Sequence, residues 1–208
     1  MNRPAHYHNP YGRLAPFYDA IAWTLLAPFG GEDAFRGAAL DALALSPGMK
    51  VLELGCGTGS NLRRLGAMGV QAVGVELSPA MFARATRRAP LAQVVHGDLL
   101  TYEGGGRFDR VLLSLVLHEM EVPVIAATLA TARRALRHDG QLVVLDFARP
   151  RSRVMGALLG VYLTLCEPSC AGRFIATDLG ALLHASGLTL STRSPLALGT
   201  AAIHVARV

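Results

Sequence analysis

Apolar and polar positions fall into two kinds of stretch along the chain. Short apolar runs of strand length stand at 51–54, Gln71–Val75, Ala92–Val95, Phe108–Ser114 and Gln141–Phe147. Between them apolar residues recur at helical spacing, as in Leu62, Leu65 and Met68, and in the stretch Val122–Arg137 that runs into His138-Asp139-Gly140. The spacing predicts that Gly140 supplies a left-handed stop to that helix. Gly104-Gly105-Gly106 reads as a flexible loop or simply a long turn before the fourth strand.

Upstream, residues 1–13 read as a loose polar arm. Leu14, Phe17, Ile21 and Leu25 predict a helix over Leu14–Ala27, and a second helix covers Asp33–Leu45 until Ser46-Pro47-Gly48 breaks it. Downstream, helices are expected at Val154–Cys166 and Thr177–Ala185, the latter stopped at Gly187, and strands at Leu188–Arg193 and Ala201–Val208. Five βα repeats and a terminal pair predict an α/β fold with seven strands, mostly parallel, the last antiparallel. The expected organisation is one domain over 1–208: a helical cap (1–46), a ligand-binding core (47–147), then lid helices and closing strands (148–208).

The first strand carries the most specific signal. Val51-Leu52-Glu53-Leu54 runs into Gly55-Cys56-Gly57-Thr58-Gly59 and then a helix, the strand–turn–helix opening of a Rossmann-like βαβ unit. Glycine is needed where φ is positive or where backbone must lie against a ligand. A dinucleotide fingerprint would place its third glycine one position later, where Ser60 stands. The second strand ends at Glu76, 17 positions after Gly59, near the separation at which an acid meets a ribose hydroxyl pair. Ser78 and Pro79 then read as N-cap and first position of a helix. The third strand delivers His96-Gly97-Asp98-Leu99, and the fourth ends at Ser114 before Leu115-Val116-Leu117-His118-Glu119-Met120.

Composition narrows the chemistry. Of 208 residues, 51% are hydrophobic and 17% charged, which suits a globular chain with a sizeable core. The formal charge of +5 comes almost entirely from arginine. Aromatic residues are only 6% and no basic tract is interleaved with them, so nucleic acid is not the expected partner. A basic face toward anionic lipid or an acidic metabolite competes with a merely solvated arginine-rich surface. The N-terminus has no apolar signal region, and the longest apolar run, Val154 to Cys166, is too short to span a bilayer. Three cysteines, Cys56, Cys166 and Cys170, give no disulfide framework, which implies a reducing cytoplasmic compartment; no pair of Cys or His at ligand spacing suggests a metal. Helix packing is the plainer account of Cys166 and Cys170 than a thiol site for a metalloid.

Four spaced motifs, Glu53–Gly59, Glu76–Met81, Gly97–Leu99 and Phe108–Ser114, together resemble the class I S-adenosylmethionine (AdoMet) methyltransferases. Leu14-Ala15-Pro16-Phe17-Tyr18-Asp19, Leu117-His118-Glu119 and Leu145-Asp146-Phe147-Ala148-Arg149-Pro150 are similar to the ubiquinone/menaquinone-biosynthesis C-methyltransferase branch. The resemblance implies AdoMet as cofactor. It implies that Glu53 and the Gly55, Cys56, Gly57 and Gly59 backbone meet the methionine end, and that Glu76 holds the ribose. Leu77 and Met81 would flank the adenine, Asp98 and Leu99 would meet its edge, Ser114 would stand beside the site, and Tyr18 would close over it.

His118, following the fourth strand, is the candidate base for a phenol-type acceptor, with a hydrogen-bonded structural histidine as the alternative. The expected reaction is methyl transfer to a small lipophilic, quinone-precursor-like acceptor. Phospholipid N-methylation and a catalytically silent AdoMet-binding or membrane-associated module are the rivals. Arg149–Arg153 followed by Val154–Cys166 reads either as an apolar lid resting on a membrane through its arginines or as a core helix after a basic loop.

Overall fold

The computed structural model describes residues 31–166 and 170–208. The expected helix Leu14–Ala27, the arm before it and Tyr18 lie outside those residues. The first described helix, α1 (Gly31–Ala42), precedes β1 (Lys50–Leu54), α2 (Ser60–Ala67), β2 (Gln71–Glu76), α3 (Pro79–Arg88) and β3 (Gln93–His96). Then come β4 (Phe108–Ser114), a 3₁₀ turn (Leu117–Glu119), α4 (Val122–Ala135) and β5 (Leu136–Phe147). The chain closes with α5 (Arg153–Cys166), α6 (Cys170–Phe174), α7 (Leu179–Ala185), β6 (Thr189–Leu196), a second 3₁₀ turn (Ala197–Gly199) and β7 (Ala201–Arg207).

The seven strands form one sheet in the order β3-β2-β1-β4-β5-β7-β6. The pairs among β1 to β5 are parallel, and β7 runs antiparallel to both β5 and β6. The α/β class, the strand number and the antiparallel last strand are as the pattern predicts.

Both faces of the sheet are covered, which is why its central strands are almost continuously apolar. Leu52, Leu54, Val111, Leu113, Leu142 and Val144 point to the α4–α7 side. Val51, Leu112, Val143 and Leu145 point to the α1–α2 side. Alternation along each strand thus feeds two cores from one set of residues. The last turn of α1 is tied down where its carbonyls would otherwise be orphaned: the Arg110 guanidinium donates to Leu43 O (2.6 Å) and Gln141 Nε2 to Ala42 O (2.8 Å). That fixes α1 against β4 and β5.

Several expectations are corrected. No helix joins β3 to β4; residues 97–107 cross as a loop, so the βα repeat is interrupted there. Gly104–Gly106 is a turn in which Gly104 is buried while Gly105 and Gly106 stand exposed. A Cβ at Gly104 would lie 2.3 Å from that of Ala135, and Gly106 N donates to Arg134 O (2.9 Å). The α4 helix also ends earlier, at Ala135, because Leu136 turns extended and pairs with Phe108. Gly140 is not left-handed. It is glycine because a Cβ would meet Leu136 Cδ2 at 2.8 Å.

Gly59 illustrates the second use of a glycine. Its φ is +80°, and a Cβ there would stand 2.9 Å from the Ala85 Cα of α3. The residue lets α2 start against α3. Gly59→Ala is expected to cost about 2–4 kcal/mol from left-handed strain and backbone collision. Thermal unfolding should then shift down by roughly 5–15 °C; an unchanged midpoint would refute the close-packing role.

Candidate active site

The strand order reverses between β1 and β4, since β1 leads outward to β2 and β3 while β4 starts the other half. Open α/β sheets form their crevice at the carboxyl ends of strands at such a point. A cleft is found there, walled by the loops after β1, β2, β3 and β4.

The loop after β1 is shaped by three positive-φ glycines, Gly55 (75°), Gly57 (54°) and Gly59 (80°). Gly55 N and Cys56 N both donate to Val75 O (2.9 and 3.0 Å), and Gly59 N to Cys56 O (3.0 Å). Gly55 has no room for a side chain, because a Cβ would stand 2.7 Å from Val116 Cγ2 of the facing loop. Gly57 differs: a Cβ there would meet nothing within 4 Å, and its N–H donates to Glu76 Oε2 (2.9 Å). Glu76 Oε1 accepts from Ser78 N (2.7 Å), so the carboxylate is gripped from two loops. Ser78 caps α3, as its position before Pro79 predicts, by accepting from Met81 N (3.5 Å). Burial pushes the Glu76 carboxyl above its usual range, against the pull of the Ser78 and Gly57 amides.

Glu53 is the most strained charge in the cleft. It is 2% exposed; Oε1 accepts from Asn61 Nδ2 (2.6 Å), and Oε2 has no partner among the described residues. Burial raises its pKa to about 7, opposed by Asn61 and the nearby Arg36 charge and assisted by Glu76. The Cys56 thiol is pushed well above its usual range by burial and by these two carboxylates, which makes it an unreactive wall residue.

On the third loop Asp98 Oδ1 accepts from Leu100 N (2.9 Å). Leu77, Met81, Leu99 and Ser114 also line the cleft, and the buried Ser114 hydroxyl has no partner among the described residues.

His118 stands behind the wall and Glu119 on it. The ring is 3% exposed, its Nδ1 lies 2.6 Å from Asp146 Oδ1, and its Nε2 lies 4.0 Å from Glu119 Oε1. Asp146, next to last in β5, gathers three further donors: Leu117 N (2.9 Å) and His118 N (3.3 Å) to Oδ2, and Phe147 N (2.8 Å) to Oδ1. The His118 ring meets Phe147 edge-on at 4.7 Å.

Of the residues expected from sequence, Glu53, Gly55, Cys56, Gly57, Glu76, Leu77, Met81, Asp98, Leu99 and Ser114 come together on the cleft. Gly59 and His118 sit just behind it, and Tyr18 is outside the described residues. Arg36, Leu115, Val116 and Met120 line the cleft and were not expected; nor was Asp146 as a support of the site. Leu115 has φ 56° without being glycine, strain of a kind concentrated at functional sites. An acid closing the fifth apolar run is the one signal that could have revealed Asp146. Among the described residues, no three His, Cys, Asp or Glu side chains are grouped to hold a metal ion.

A family model described as "Methyltransferase domain" matches residues 51–140. The chain is 35% identical over 180 residues to an uncharacterized methyltransferase of Synechocystis sp., covering 86% of this chain and 84% of that protein. It is 32% identical over 179 residues to the demethylmenaquinone methyltransferase of Mycolicibacterium gilvum, covering 82% and 75%. Among solved structures, a TehB-like SAM-dependent methyltransferase from Corynebacterium glutamicum superposes with a TM-score of 0.66 at 24% identity, over 94% of this chain and 97% of that one.

The raised Glu53 pKa has a sign that can be checked. The folded protein holds this proton more tightly than the unfolded chain does. Stability from this group is therefore present below about pH 4.5 and is lost as pH rises to about 7, by up to roughly 3 kcal/mol. In urea titrations at several pH values, Glu53→Gln should remove that decline. A wild-type and variant pair with parallel pH profiles would show that Glu53 ionises normally.

Proposed function

Because the chain belongs to the class I AdoMet-dependent methyltransferases, in the branch that holds the demethylmenaquinone methyltransferases, we propose that it methylates a small lipophilic ring acceptor of the quinone-precursor type. The observation that carries this reading is the two-sided character of the cleft. The carboxyl ends of β1 and β2 and the loop after β3 present Glu53, Glu76 and Asp98; the segment after β4 presents the apolar Leu115, Val116, Met120 and Val124, with Glu119 the one acid among them. A charged nucleoside-bearing cofactor suits the first and an apolar ring the second. Relatives named demethylmenaquinone methyltransferase support the same acceptor class.

The cofactor fits the residues present. Glu53 Oε2 is a buried acceptor awaiting a donor, the complement of an ammonium group. Glu76 accepts from the Gly57 and Ser78 amides, with the Leu77 amide also drawing on it, and a carboxylate has lone pairs beyond these for a hydroxyl. Gly57 leaves open space where a side chain would otherwise project. We assign the methionine end to Glu53 and the glycine loop, the ribose to Glu76, and the adenine to Asp98 and Leu99 between Leu77 and Met81. AdoMet, when bound, supplies a methyl group already activated on a sulfonium.

The protein's own tasks are therefore alignment, exclusion of water and removal of a proton from the acceptor. We assign the last to His118 acting with Glu119, the one of the two that lines the cleft. Asp146 accepts the Nδ1 proton and fixes the tautomer, so Nε2 is the basic nitrogen, 4.0 Å from the Glu119 carboxylate on the cleft wall. The Asp146 carboxylate also ties the Leu117–Glu119 turn to β5, so the base is positioned by the sheet itself.

Two variants test the assignment. Glu76→Ala should lower AdoMet affinity by about tenfold to a hundredfold while the fold is kept, because two ribose hydrogen bonds to a charged acceptor are lost. Unaltered affinity in calorimetric titration would place the ribose elsewhere. His118→Gln should lower turnover of a demethylated quinone by about a hundredfold or more with AdoMet affinity kept. Label passing from methyl-labelled AdoMet into phosphatidylethanolamine, and not into a quinone, would overturn the acceptor class.

A further inference from the structure

The α5 helix is apolar on both of its faces. Leu159 and Leu163 are buried in a small cluster with Ala171, against Phe147, Tyr162 and Ile175. On the opposite side Val154, Leu158 and Val161 are 65%, 58% and 59% exposed, at the i, i+4, i+7 spacing of a single helical stripe. A second element adds to this surface. In the Ala197–Gly199 turn two consecutive non-glycine residues, Ala197 (φ 46°) and Leu198 (φ 56°), are left-handed, and Leu198 is held 73% exposed. The two elements meet at Pro150: a Cβ at Gly199 would touch Pro150 Cα at 3.5 Å, and one at Gly156 would touch its Cγ at 3.9 Å.

Three exposed arginines, Arg149, Arg151 and Arg153, surround that meeting point, and no Asp or Glu occurs from Phe147 to Cys166. All of this lies beyond the carboxyl end of β5, the same sheet edge that carries the cleft, where Ala148 N bonds Thr200 O (2.9 Å).

We propose that the outer face of α5, the Leu198 turn and the Arg149–Arg153 loop form one docking surface for an anionic lipid bilayer. Apolar side chains in a stripe beside clustered arginines, without acids between them, match a layer of hydrocarbon under a negatively charged headgroup plane. A second copy of the chain fits less well, because a two-fold contact through this patch would set arginines against arginines. Docked in this way, the cleft edge of the sheet faces the bilayer. The benefit of that placement rests on the lipophilic-acceptor reading; the binding itself does not.

The test uses the full chain without cofactor or acceptor, sedimented with vesicles of phosphatidylcholine alone or of equimolar phosphatidylcholine and phosphatidylglycerol. Binding is expected to the anionic vesicles and to weaken with salt. Each arginine contributes about a fivefold gain in partition, so replacing Arg149, Arg151 and Arg153 together by Gln should lower it about a hundredfold. Leu158→Ser with Leu198→Ser should also release the protein, with the melting temperature lowered by no more than a few degrees because more than half of each side chain already stands in water. Three results would overturn the proposal: no sedimentation with anionic vesicles, equal partition of wild type and variants, or a solution dimer that Leu158→Ser dissociates. Methyl transfer is absent from this assay, so a wrong acceptor class cannot be confused with a wrong docking surface.

Discussion

The cleft depends on carboxylates being buried at the ends of parallel strands before any ligand arrives. Glu76 ends β2, and Glu53 and Asp146 are the next-to-last residues of β1 and β5. A buried carboxylate is costly unless donors surround it, and each charge-assisted bond returns about 1.5–3 kcal/mol. Asp146 meets that demand with three backbone amides and the His118 ring. Glu76 meets it with two amides drawn from separate loops. Glu53 has one firm donor, Asn61, and its carboxyl stays protonated to about pH 7. The order of these three is therefore an order of completeness. Asp146 has a donor on both oxygens, Glu76 likewise, and Glu53 keeps Oε2 without a donor among the described residues.

The satisfied carboxylates also set the shape around the unsatisfied one. Glu76 pins Gly57, which fixes the glycine loop in place without a ligand. Asp146 pins the Leu117–Glu119 turn, which brings Val116 against the open side of Gly55. Two loops from opposite halves of the sheet are thus braced on each other across the switch point. The strain at Leu115, whose amide still bonds Leu145 O (2.8 Å), is sustained by that bracing.

What the sequence disclosed follows from range. The glycine loop, the Ser78–Pro79 cap and the acids Glu53, Glu76 and Asp98 are each legible because a strand end, a turn and the residue serving it lie within a few positions. The Asp146–Leu117 bond spans 29 positions, and the Arg110–Leu43 bond that seats α1 spans 67. No local spacing encodes such pairs. Gly140 and Gly104 misled for the same reason: each is glycine because of a distant or folded-back neighbour, Ala135 or Leu136, and not because of its own φ. The end of α4 was misplaced because Leu136 joins a strand partner in Phe108, and sheet pairing overrode a helical pattern that continued to Arg137. Arg36 reaches the cleft from a helix whose sequence reads as an ordinary amphipathic stretch.

Separation along the chain also hid how α5 relates to the site. Its outward stripe and its inward ring belong to the same few turns. Tyr162 of α5 packs on Phe147 (5.8 Å), and Phe147 packs on the His118 ring (4.7 Å). Phe147 is itself the residue whose amide completes Asp146. Any surface that seats the exposed side of α5 therefore bears, through two aromatic contacts, on the histidine assigned as base. A rigid helix with water on one side and that stack on the other would be set more firmly once its outer face is covered. The base needs a fixed orientation to act on a ring acceptor. The helix proposed to meet the bilayer is thus the one whose packing holds that orientation.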